Sequence, residues 1–299
     1  MKMFGSISIK AWCRPIYLLR SLNALSKCHG IENYRILLSC DHYDTCNAQQ
    51  ILETIYASPV SRFKNFEVII HETNLGCAGN TRYCFERAFE NGEDFHIHME
   101  DDHILSVDAL EFFEDVVPLI GDSHFAVCSM NRPCHQDKPI FDPENDYEEV
   151  LEDAGELYSK LWFEPAAAFA ITKKQYDRIQ EMGGIFGVDY ISEKGKSPHC
   201  NGQEWLKEVQ KSDRLSWGWP FQKYFSEGKP SLFPIIGRCL NIGKSGLHTN
   251  YNKYVEIHEN NHWMGNPSYP NNIYEDRYYF DAESILKDNK IYFENGYVK

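Results

Sequence analysis

No apolar run in this chain approaches the roughly 20 residues of a membrane-spanning helix, so nothing in the sequence predicts a span. The opening residues, Met1 to Lys10, run straight into a strand pattern and lack the apolar core of a signal peptide. The ten cysteines include no CxxC pair. That removes the usual zinc-ribbon and dithiol motifs and leaves reduced, mostly buried thiols as the expectation. Cys128, Cys134 and His135 lack a fourth ligand at zinc-site spacing. Positive charge is also short: 30 Lys and Arg stand against 44 Asp and Glu, a formal charge of −14. Such a chain suits neither nonspecific DNA binding nor an anionic membrane surface, although a local basic groove is compatible with it. The phosphate-binding pattern Gly-x4-Gly-Lys-Ser is absent, and no internal repeat is visible. Together these absences predict a cytoplasmic globular protein.

What is present is ample core material, 42% hydrophobic and 14% aromatic over 299 residues, enough for one large α/β domain. Ser6 to Trp12 alternates as a first strand, and Pro15 opens a helix with Leu18, Leu22 and Leu25 as its buried stripe. Tyr34 to Asp41 is a second strand, Ala48 to Ala57 a helix, and Phe66 to His71 a third strand. Asn74 to Asn80 reads as a turn, with a helix from Thr81 to Glu90 closed by Gly92. The fourth strand runs from Phe95 into Glu100-Asp101-Asp102, and Ser106 opens an amphipathic helix with Leu110, Phe113, Val117 and Ile120. This β-α order predicts a mostly parallel, Rossmann-like sheet flanked by helices. Three adjacent carboxylates at the carboxyl edge of such a sheet repel one another unless a cation or a donor-rich ligand offsets them. A divalent metal holding a diphosphate is one reading, and a solvated acidic turn is the other.

Beyond Gly121 the rhythm changes. A fifth strand is expected over His124 to Met130, and the acidic, proline-punctuated stretch 131–156 reads as a lid loop. A small-residue strand follows over Phe163 to Ile171, and Thr172 with Gln175 makes a capping box for the next helix. Ser231 to Ile242 is strand-like, and Lys244 to His248 is a tight polar turn. The expected division is a nucleotide-sugar-binding half (1–130), an acceptor-binding half with lid loops (131–265) and a tail packed on the domain (266–299).

Four features resemble the GT-A glycosyltransferases, especially the family-2-like and N-acetylglucosaminyltransferase I-like pattern. They are the first strand with Arg14-Pro15, the strand ending in Ser39-Cys40-Asp41, Asn74-Leu75-Gly76 with Asn80 and Arg82, and Glu100-Asp101-Asp102 before Phe112-Phe113. The resemblance implies transfer of a sugar from a nucleoside-diphosphate sugar, most often a UDP-sugar, to an acceptor hydroxyl with the help of Mn2+ or Mg2+. It implies Asp102 as the main metal ligand, with Glu100 near the metal and His248 as a late ligand. Glu100 and Asp101 then contact the ribose or base, and Asp41 accepts a hydrogen bond from the base. Asn74 belongs to the same nucleotide side. Arg14 and Arg82 pair with phosphate or orient the acids, with a plain surface role as the alternative. Lys244 offsets diphosphate charge.

Inversion requires a carboxylate base at the acceptor hydroxyl. At the matching place the chain reads Ser216-Trp217-Gly218-Trp219-Pro220, without an acid. Asp213 is the preferred candidate and Glu204 the next, with Asp189 and Glu164 further options. Acceptor classes are a glycan, a small molecule or a protein. A phage-type enzyme acting on DNA bases and a noncatalytic nucleotide-binding module are the alternatives. A nucleotidyltransferase would need a glycine-rich, lysine-containing signature that Ala11-Trp12-Cys13-Arg14-Pro15 lacks.

Overall fold

The computed structural model describes residues 4–42, 48–129, 149–150, 157–160, 168–181, 229–234 and 238–243. The first half alternates strand and helix: β1 (Gly5–Ala11), α1 (Pro15–Leu25), β2 (Arg35–Cys40), α2 (Ala48–Ala57), β3 (Phe66–Ile70), α3 (Gly76–Arg87) and β4 (Phe95–Glu100). Then come β5 (His103–Leu105), α4 (Ala109–Val116), β6 (Val127–Cys128), β7 (Glu149–Val150), β8 (Leu157–Lys160), β9 (Phe169–Thr172), α5 (Lys173–Glu181), β10 (Ser231–Pro234) and β11 (Cys239–Asn241). Nine strands form one sheet in the order β3-β2-β1-β4-β9-β6-β10-β8-β7, while β11 and β5 form a separate ribbon. The four strands β3-β2-β1-β4 are parallel throughout. This is the helix-flanked parallel arrangement expected from the sequence, extended by strands that pair mainly antiparallel.

The two faces of β1 and β4 differ because their side chains alternate in register, with Ser6 opposite His96, Ser8 opposite His98 and Lys10 opposite Glu100. The odd positions Ile7, Ile9, Ile97 and Met99 join Leu18, Leu22, Ile51, Ile55, Leu110 and Phe113 in the main core. Each such side chain contributes about 1.5–3 kcal/mol on burial. The even positions face α3, where the buried stripe Asn80, Thr81, Cys84, Phe85 and Ala88 lies. Here polar groups pair inside the fold. Ser6 Oγ donates to the Ala88 carbonyl and meets His96 Nδ1 at 2.8 Å. Ser8 Oγ lies 2.8 Å from both His96 Nε2 and His98 Nδ1.

Local signals explain most of the boundaries. Pro15 takes the first turn of α1, where its missing N–H is not needed. The capping box is present: Gln175 N donates to Thr172 Oγ1, and Thr172 N donates to Gln175 Oε1. Glycine at position 5 is required by packing, since a Cβ there would lie 2.6 Å from ring atoms of Phe95 and Tyr34.

Several expectations change. The helix after the third strand begins at Gly76 rather than Thr81, because Asn74 Oδ1 accepts from Gly76 N and Gly76 takes φ 69°. Ser106 does not start α4 directly. Ser106 Oγ donates to Asp108, the residue before the helix, and Ala109 N bonds the Ser106 carbonyl. The Leu110–Phe113–Val117–Ile120 stripe is buried, but Pro118 turns its end into a short 3-10 segment, Val117–Leu119. The strand-like run 231–242 divides into β10 and β11, which belong to different sheets. The fifth strand is limited to Val127–Cys128. The expected tail, 266–299, and most of the expected acceptor half lie outside the described residues.

Candidate functional site

In the sheet, β1, β2 and β3 are laid down in one direction, and β4 then returns to the other side of β1. The sheet order therefore reverses between β1 and β4. A crevice at the carboxyl ends of two such strands is where open α/β sheets bind ligands. The residues that end these strands are Lys10, Ala11, Trp12 and Arg14 on one side and Glu100, Asp101 and Asp102 on the other.

Each acid has a different set of partners. Glu100 Oε1 lies 2.9 Å from Lys10 Nζ, which also lies 2.9 Å from Cys77 Sγ. Burial alone pushes the Glu100 carboxyl up, but the Lys10 ammonium, with neighbouring groups including Arg14, more than reverses this and the carboxyl comes down to about 2. The same pair acts on Lys10: burial pulls its ammonium down, and Glu100 carries it above its ordinary value. Asp101 is held by Arg14, whose NH2 group pairs with Oδ1 and whose Nε donates to Oδ2 at 3.4 Å. Burial raises the Asp101 carboxyl; Arg14 opposes the rise and the neighbouring Asp102 adds to it. Arg14 NH1 also reaches Asp102 Oδ2 at 2.7 Å.

Asp102 Oδ1 is the exception. It is buried and has no hydrogen-bond partner among the described residues, a condition that costs on the order of 1–3 kcal/mol or more for a charged group. His103 Nε2 lies 3.8 Å away, beyond hydrogen-bond length. One ligand atom each from Glu100, Asp102 and His103 lie within 4.8 Å of one another. A buried carboxylate oxygen with an open coordination direction fits a hard divalent cation.

The backbone is shaped around this carboxylate. Ile242 N donates to the Asp102 carbonyl at 2.9 Å, which brings the chain after β11 against the acids. A Cβ on Gly243 would lie inside van der Waals contact of Asp102 Oδ2. Because Arg14 already fixes that oxygen, Asp102 cannot swing aside at no cost. Gly243→Ala is therefore expected to lower stability by about 1–3 kcal/mol and to weaken Mn2+ binding; urea denaturation and metal titration read the two effects. Unchanged metal affinity in the Gly243→Ala protein would contradict this placement.

The structure does not gather all the sequence-predicted residues here. Arg14, Glu100, Asp101 and Asp102 meet at the β1/β4 crevice. Arg14 serves the acids rather than standing open to a phosphate. Asp41, the residue after β2, is buried; its N–H donates to the Ala11 carbonyl at 2.8 Å, and its Oδ1 accepts from the amides of His42 (2.9 Å) and Leu75 (2.7 Å). Trp12 Nε1 donates to the His42 carbonyl, so Trp12, Asp41 and Leu75 frame one side of the crevice. Asn74 is exposed and spends its Oδ1 on the turn into α3. Arg82 is not part of the cluster: it lies on the exposed side of α3, paired with Glu86 at 2.6 Å. Asp213, Glu204, Lys244 and His248 lie outside the described residues.

Lys10, His103 and Gly243 were not among the expected site residues. A usable signal existed for Lys10. Ser6, Ser8 and Lys10 repeat the polar alternation of His96, His98 and Glu100, as neighbouring strands in register require. His103 directly follows the acids, but its role depends on the ribbon of β5 with β11, which has no local turn signal.

No protein-family model and no curated protein matches the chain. Solved structures with a similar chain path include GalNAc-T7 with UDP, GalNAc and Mn2+, at TM-score 0.47 and 13% identity over 79% of this chain and 43% of that one. A mannose-1-phosphate geranyltransferase from Thermus thermophilus aligns at 0.46 and 13%, over 81% and 77%. The mannosyltransferase PcManGT from Pyrobaculum calidifontis, in complex with GDP-Man and Mn2+, aligns at 0.42 and 10%, over 62% and 48%. The chain thus spans less than half of the length of two of these three proteins.

Proposed function

We propose that the chain is a GT-A-type glycosyltransferase that moves a sugar from a nucleoside-diphosphate sugar to an acceptor hydroxyl, with inversion and with Mn2+ or Mg2+. The observation that carries this reading is Asp102 Oδ1, a buried carboxylate oxygen without a hydrogen-bond partner among the described residues, set where the sheet order reverses. A solvated acidic turn would not bury its acids, and Asp101 and Asp102 are both buried. When bound, the cation supplies the charge that a departing diphosphate needs.

The chain's own residues divide the remaining work. Arg14 clamps Asp101 and one oxygen of Asp102, so the carboxylate that faces the cation is oriented before any ligand arrives. Lys10 keeps Glu100 ionised and fixed, which suits an acceptor for donor-rich groups such as ribose hydroxyls. Asp41 uses Oδ1 on the backbone, leaving Oδ2 as the oxygen for a nucleotide base, with Trp12 alongside as a flat apolar surface. The general base is assigned to Asp213, with Glu204 next, and Lys244 and His248 complete the diphosphate and metal side. The donor is a UDP-sugar by preference. A glycan, small-molecule or protein acceptor fits the −14 charge better than DNA does.

The test is release of free nucleoside diphosphate from a panel of nucleotide-sugars in Mn2+ and in chelator, with no acceptor present. Slow hydrolysis of one donor, abolished by chelator, is the expected result. Nucleotide binding in Mn2+ without hydrolysis or transfer, across a panel of acceptors, would favour the noncatalytic module. Turnover that persists in chelator would overturn the metal reading.

A further inference from the structure

We propose that His103 is a positioning residue for Asp102 and not a ligand of the metal. The inference rests on the metal-dependent reading above, but its argument is one of tautomers. Glu100 N donates to His103 Nδ1 at 3.0 Å. A backbone N–H has only a proton to offer, so Nδ1 must present its lone pair. A neutral imidazole that accepts at Nδ1 carries its proton on Nε2. The nitrogen that faces Asp102 Oδ1 at 3.8 Å therefore presents N–H and has no lone pair for a cation.

This reverses the first impression given by Glu100, Asp102 and His103 lying together. A histidine that ligates through Nε2 needs Nδ1–H, usually donated to a carbonyl or a carboxylate. Here the Nδ1 partner is a donor, the opposite arrangement. The ring is buried and sits at the start of β5, whose pairing places His103 opposite Asn241. The imidazole is thus held between the amide of the first acid and the carboxylate of the third. Its Nε2–H lies 3.8 Å from Asp102 Oδ1, near enough to bring positive charge to that oxygen and too far to take up its lone pairs. Arg14 fixes Oδ2 and His103 faces Oδ1, so the carboxylate is set in one orientation without being consumed.

The tautomer can be measured without any sugar transfer. In protein labelled with 15N-histidine, long-range proton–nitrogen spectra are expected to show His103 as the Nε2–H form, unchanged on saturation with Mg2+. His103→Asn keeps an acceptor for the Glu100 amide and loses the Nε2–H. It is expected to fold and to bind Mg2+ and Mn2+ about 10- to 100-fold more weakly, by the same factor for both ions. His103→Gln, which restores an N–H at longer reach, should recover part of that loss.

An Nδ1–H form in the free protein, or a switch to it on adding Mg2+, would overturn the proposal. So would a loss in His103→Asn much larger for Mn2+ than for Mg2+, the mark of a missing nitrogen ligand. If neither ion binds the wild-type protein, the metal-dependent reading fails. The Nε2–H spectrum of the free protein then stands as a separate result, and Asp102 positioning for a metal is refuted.

Discussion

Replacing Asp102 by asparagine is expected to reduce Mn2+-dependent turnover and Mn2+ affinity at least about 100-fold, since loss of a ligand exceeds the loss from its supporting groups. The fold is expected to survive. Lys10 pairs with Glu100 and Arg14 with Asp101 and with Oδ2 of Asp102, so among the described residues the oxygen left without a cation is Asp102 Oδ1. Its Oδ1 is buried and has no hydrogen-bond partner among the described residues. The Asp102→Asn change keeps the shape and removes that charge. In the absence of metal, relief at Oδ1 offsets part of the weakened Arg14 pair at Oδ2, so the variant is expected to keep its fold and lose no more than about 1–2 kcal/mol by urea denaturation. Stability held and metal response lost is the signature of a group placed for a ligand rather than for the fold. Large destabilisation with intact metal dependence would contradict this.

The second large effect is acid sensitivity that begins near neutrality. Burial, with the Arg35 charge adding to it, holds His96 down to about 3 from its ordinary 6.5. Burial and the Lys10 ammonium hold His98 well below its ordinary value. The hydrogen bonds agree. Ser6 Oγ donates to Ala88 O, so it accepts from His96 Nδ1, and His96 Nε2 then accepts from Ser8 Oγ. A second ring proton on His96 would have to turn the Ser8 hydroxyl away from its present role as donor. The unfolded state binds these protons below pH 6.5 and the native state does not, so stability is complete above pH 6.5 and falls as pH drops. Each histidine contributes about 1.4 kcal/mol per pH unit, together about 2.7, or roughly 4 kcal/mol lost by pH 5. The Glu100 carboxyl, held down to about 2 against an ordinary 4.5, adds its own loss only below pH 4.5. Urea midpoints between pH 7 and 5 therefore report mainly on the buried histidines, with His71, also held down by burial, adding to the slope and the raised Asp101 carboxyl opposing it. His96→Gln is expected to reduce the slope by about 1.4 kcal/mol per pH unit, and an unchanged slope would assign it elsewhere.

Much of the first half was legible because its signals are local. Alternation over Ser6 to Trp12, Pro15 ahead of a leucine stripe, and the run ending in three acids each correspond to an element in the expected place. The carboxyl-edge position of Glu100, Asp101 and Asp102 followed from that order. Their division of labour did not, because it depends on which strand lies beside β4. Lys10 becomes the partner of Glu100 only through the β1/β4 register. Arg82 could have been set aside from sequence: it falls off the stripe of Asn80, Thr81, Cys84, Phe85 and Ala88 that α3 buries. The β5–β11 ribbon joins three-residue strands more than 130 residues apart, and no local pattern announces such a pairing.

The most direct test of the central claim is the location of the cation. Crystals grown with Mn2+ and a nucleoside diphosphate, measured at an X-ray energy where manganese scatters anomalously, locate the ion independently of the protein map. The account predicts one strong anomalous peak in the β1/β4 crevice, within coordination distance of Asp102 Oδ1, with the diphosphate beside it and His103 in the outer layer. Nucleotide bound at another edge of the sheet, or in this crevice with no manganese at Asp102, would contradict it.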